Sequence, residues 1–134
     1  TLLTGAEKEE LGIQVFDATT VSTQWAKENA ETLSKFLKVT ADMNAKFAGE
    51  SMEMMLPVIS KAAGMDEDAT KSTLAGFVFP TVEEQLSEKW LGGGTQAFLK
   101  EVADFFVEQG VIDSARPSYD DAVDASYLEA AASM

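Results

Sequence analysis

The chain has 134 residues, 46% of them hydrophobic, with 23 acidic against 10 basic side chains and a net charge of −13. That length suits one domain, no apolar run approaches the ~20 residues that span a bilayer, and so acidic a chain is repelled by nucleic acid and anionic membrane surfaces, so no nucleic-acid partner is expected. Cysteine and histidine are absent, which removes disulfides, thiol nucleophiles, the usual zinc ligand sets and the commonest general base; carboxylate chemistry stays open, and no cofactor or metal is expected.

In chain order, Leu2, Leu3 and Thr4 read as the end of a strand, and residues 7–11 as a short helical turn or loop. Gly12 then opens a β-like run. Ile13, Val15, Phe16, Thr19, Thr20 and Val21 are β-branched or aromatic, types that suit a pleated, half-buried surface, so a strand is expected inside residues 12–21. Asp17 stands in the middle of this run. A carboxylate is costly to bury unless a cation or hydrogen-bond donor meets it, so Asp17 is either exposed or partnered. From Asn29, a plausible N-cap, Leu33, Phe36, Leu37, Thr40, Met43, Asn44 and Phe47 recur at three- and four-residue steps. They predict one long amphipathic helix over 30–47, ended by Gly49, with Phe36, Met43 and Phe47 buried.

Ser51 is expected to cap the next helix, whose apolar face holds Met52, Met55, Ile59, Ala62 and Ala63. Pro57 predicts a kink or a later start. The methionines Met43, Met52, Met54 and Met55 read better as core than as a soft binding surface. Asp66, Glu67 and Asp68 lack the spacing and glycine of a calcium loop and read as the acidic start of a short helix reaching Ala75. Residues 77–79 are extended ahead of Pro80. Thr81 and Glu84 form a capping box for a helix running to Leu91. Gly92, Gly93 and Gly94 lack the Lys-Ser/Thr of a phosphate loop and read as a flexible bend. Thr95 is expected to cap the next helix, with Phe98, Leu99, Val102, Phe105 and Phe106 as its stripe and Gly110 as its end. Ser118 and Asp121 suggest a further box, starting a final short helix or pair of turns through Ala131. The fold class expected is mainly α with one to three short strands.

Several stretches carry a resemblance. Leu-Thr-Gly-Ala-Glu at 3–7, Phe16-Asp17, Trp25-Ala26-Lys27 with the long helix after it, residues 76–81, residues 105–110, and Tyr119, Val123-Asp124 and Ser126-Tyr127-Leu128 together resemble the second half of the periplasmic taurine-binding proteins, solute-binding components of ABC importers for taurine and aliphatic sulfonates. The family's chain is about twice as long, so the resemblance covers its C-terminal part. It implies a two-lobed α/β periplasmic binding protein (type II) as parent fold. Residues 1–21 would then be the end of the second lobe and the hinge return strand, and residues 22–134 the helical part completing the first lobe. It also implies a periplasmic location, a membrane permease and the missing N-terminal half as partners, and taurine or a related amino-sulfonate in the interlobe cleft. There Asp17 would accept a hydrogen bond from the ligand ammonium, with Thr19 a weaker contact and most sulfonate donors in the other half. Two other readings stand beside it. One is a self-standing helical interaction module. The other is an enzyme on the same two-lobed fold, such as a relative of the thiamin-pyrimidine synthases, which would need the histidine or cysteine this chain lacks.

Overall fold

The computed structural model describes residues 5–49 and 52–134. Helices account for every regular element among them: α1 (Gly5–Glu10), α2 (Thr23–Glu28), α3 (Ala30–Ala48), α4 (Met52–Ala63), α5 (Glu67–Leu74), α6 (Val82–Leu86), α7 (Gly94–Glu108), a 3-10 turn at Asp120–Ala122 and α8 (Ser126–Ala132). No strand occurs among the described residues, which corrects the expectation of one to three. Residues 13–22 run without helix or strand. A strand exists only as a member of a ladder, and β-propensity records how side chains pack on a sheet rather than a preference of the isolated backbone. The β-branched residues here meet no neighbouring strand. The strand end expected at Leu2–Thr4 and the cap expected at Ser51 lie outside the described residues.

The chain divides into two compact units, Thr1–Lys27 with Asp42–Phe79, and Glu28–Ala41 with Pro80–Met134. In the first, α4 packs on α5. Helix α4 ends at Gly64, whose φ of 67° is cheap only for glycine, and it continues through Pro57 as one helix. Asp66 caps α5, its carboxylate accepting the Ala69 N–H at 2.7 Å, with Glu67 and Asp68 in the first turn. The buried hydroxyls of Ser60 and Thr70 are satisfied locally, each donating to a carbonyl four residues back at 2.8 Å. Phe47 meets Phe79 edge-on, ring centres 5.0 Å apart, and Phe77 stacks beside it.

In the second unit α6 packs on α8. The Thr81–Glu84 capping box is complete: Glu84 N–H donates to the Thr81 hydroxyl and Thr81 N–H to the Glu84 carboxylate. The helix stops at Leu86, not Leu91, because Ser87 turns extended. Residues 87–95 then form a tight turn rather than a flexible bend. Gly92 N–H donates to Ser87 O, Gly94 N–H to Glu88 O and Thr95 N–H to Trp90 O, at 2.9–3.0 Å. Gly93 takes the N-cap position of α7 with φ 144°, and Thr95 is buried inside the first turn instead of capping it. Gly110, φ 68°, ends the segment after α7 as expected.

The two longest helices are apolar over a wider arc than they bury. In α3 the buried residues are Leu33 and Ser34; Phe36 is 55% exposed, Met43 is exposed and Phe47 half-buried, against the expectation that all three are core. In α7 the buried positions are Thr95 and Ala103, while Phe105 and Phe106, two members of its apolar stripe, are exposed. Among the described residues nineteen large apolar side chains are exposed.

Candidate functional site

The predicted site lies in residues 13–22, between α1 and α2. Helix α1 gives way at Gly12, φ 77°, with Ile13 N–H donating to Lys8 O at 2.9 Å. At the far end Ser22 Oγ accepts the Trp25 N–H at 3.2 Å and so caps α2. Between these anchors Gln14 and Phe16 are half-buried, whereas Ile13, Val15, Asp17, Thr19 and Val21 are all exposed. The structure thus keeps Asp17 and Thr19 close in the chain and places both in water. Of the two alternatives left by the sequence, Asp17 takes exposure.

That placement limits what the pair does in this chain. A hydrated carboxylate attracts an ammonium by only ~0–1 kcal/mol. The same contact becomes a strong charge-assisted hydrogen bond once water is excluded. Thr19 adds one hydroxyl able to donate and accept. Around them Ile13, Val15 and Val21 are apolar and uncovered, so a second surface laid over this segment would desolvate the carboxylate.

Polar clusters elsewhere are structural. The Arg116 guanidinium reaches both Asp121 oxygens at 2.6 Å and lies 5.4 Å from the Tyr119 ring centre. Ser118 Oγ accepts the Asp120 N–H. The box expected of Ser118 and Asp121 therefore does not form; Asp121 closes the turn through Arg116 instead, a pairing only its five-residue spacing hints at. Helical i,i+4 pairs join Glu31 to Lys35 and Lys100 to Asp104. The Lys35 hydrogen bond, then its charge, lowers the Glu31 pKa, and the Thr81 N–H, then its hydroxyl, lowers that of Glu84. Among the described residues no group of three or more acidic side chains is placed to hold a metal ion. Met43, Met52 and Met54 are exposed and Met55 half-buried, so the methionines do not form the expected core.

Compared with protein-family models, curated proteins and solved structures, the chain finds no match in any of the three.

Proposed function

We propose that this chain is the C-terminal part of a solute-binding component of an ABC importer, which takes taurine or a related amino-sulfonate and works in the periplasm beside a membrane permease. The proposal rests on the resemblance carried by residues 3–7, 16–17, 25–27, 76–81, 105–110 and 119–128. One structural observation supports it: Asp17 and Thr19 stand exposed among the uncovered apolar residues Ile13, Val15 and Val21. Further polypeptide would cover such a segment, and the N-terminal half is the partner the resemblance supplies. Closure of that half over residues 13–22 would desolvate the carboxylate, which then accepts the ligand ammonium, while donors from the other half take the sulfonate. Thr19 would be a secondary contact.

The test is calorimetry on the full-length protein, wild type and Asp17→Asn, with taurine and with ethanesulfonate. Truncating one partner of a buried charged hydrogen bond typically costs ~2–5 kcal/mol. Taurine should therefore weaken by tens- to thousands-fold, whereas ethanesulfonate, which has no ammonium, should be little changed or bind more tightly. Equal losses for both ligands, or none for taurine, defeat the assignment. The second reading, a self-standing helical module, is favoured by the uncovered face of α4. The mass of the denatured polypeptide separates the two readings, because it is blind to association: a single chain of about this length supports the module, and one of about twice the length supports the importer component.

A further inference from the structure

Helix α4 carries apolar side chains on both its packed and its open side. Its inner side carries Leu56, Ile59 and the buried Ser60 and packs on α5. The outer side of α4 is open, with Met54 75% and Val58 70% exposed beside the charged Glu53 and Lys61. The outer residues fall in two adjacent rows at four-residue steps, Glu53–Pro57–Lys61 and Met54–Val58–Ala62, and all six are exposed. Residues so spaced lie along one side of a helix.

The rows have a symmetry that selects a partner. In an antiparallel pair related by a two-fold axis, each row faces the same row of the other helix, running in reverse. With the axis over residues 57 and 58, Glu53 of one copy meets Lys61 of the other, twice, and Pro57 meets Pro57. In the second row Met54 fits over Ala62, long against short, twice, and Val58 meets Val58. A parallel pair would instead set each row against the other, Glu53 over Met54 and Lys61 over Ala62, and leave both charges without a partner across the interface. We propose that the outer face of α4 is a self-association surface, on which two copies of this chain pair antiparallel through α4. This inference is independent of the transport reading. The face is smaller than the ~800 Å² per partner of a standard interface, and each copy carries −13, so the dimer is weak and forms best at ionic strengths that confine repulsion to about 8 Å.

Sedimentation equilibrium of the 134-residue chain at 0.15 M salt, from dilute to millimolar, tests it. The weight-average mass should climb from 14.4 kDa towards twice that value. Glu53→Lys and Lys61→Glu each set like charges together twice and should weaken association about tenfold. The Glu53→Lys/Lys61→Glu double variant should regain it to within about threefold, although both charges now oppose the helix dipole; only pairing across copies predicts that recovery. Val58→Lys, on an exposed position that leaves the fold intact by circular dichroism, should abolish the dimer. A monomer at every concentration, as expected if a different polypeptide covers α4, overturns the proposal. So does a double variant no better than the singles, or a Val58→Lys chain that still associates.

Discussion

Replacing Gly94 by alanine probes the turn that launches α7. An added Cβ would lie 2.0 Å from the Lys89 carbonyl oxygen and 2.6 Å from its carbon, where such atoms rest at about 3.5 Å. Both obstacles are backbone, so no side chain can swing aside. Relief by bending is out of reach, since 15° in one backbone angle already costs about 4 kcal/mol. The turn must open instead. Opening sacrifices the Gly94 N–H to Glu88 O and Thr95 N–H to Trp90 O bonds, each worth about 1 kcal/mol net, and uncovers the buried Thr95. The expected loss is about 2–4 kcal/mol, a large share of a stability of roughly 5–15 kcal/mol. With a slope of about 2 kcal/mol per molar, the urea midpoint falls by about 1–2 M. Gly49→Ala is the control: its Cβ would sit at an ordinary 3.5 Å from the nearest atom, and the midpoint should barely move. A Gly94→Ala midpoint within a few tenths of a molar of wild type would refute the tight turn.

Four further outcomes concern the caps and the exposed ion pair. Thr81→Ala removes the acceptor for Glu84 N–H and should cost about 1 kcal/mol in urea unfolding. Glu84→Gln should be destabilising near neutral pH with an effect that fades in acid: the folded pKa lies below the ordinary 4.5, so the stabilisation is present above the unfolded value and lost as pH falls through the folded one. Urea midpoints of both proteins from pH 7 to 3 would show this, and a gap that widens in acid would contradict it. Asp66→Ala leaves the Ala69 N–H without its 2.7 Å acceptor and should cost about 1 kcal/mol, whereas Arg116→Ala, breaking a pair exposed on both sides, should cost less than about 1 kcal/mol.

What the sequence by itself determined here is local. The span of α3, the caps at Asp66 and Thr81, and the stops at Gly64 and Gly110 follow from hydrogen bonds within four or five residues and from positive φ, which composition reports directly. The exposure of Asp17 stayed one of two alternatives, because a lone carboxylate in an apolar run is compatible with either until its surroundings exist. What only the tertiary structure decided is which apolar side chains find a neighbour. Among the described residues, residues 12–21 have the composition of a strand but no ladder to join, Phe36, Phe105 and Met54 have the periodicity of core but stay exposed, and Gly92 and Gly94 have the look of a flexible bend but are held under the carbonyls of Ser87 and Lys89. Periodicity shows that a face must be covered; it does not say by what, since burial depends on a second surface arriving from elsewhere in sequence or from another chain.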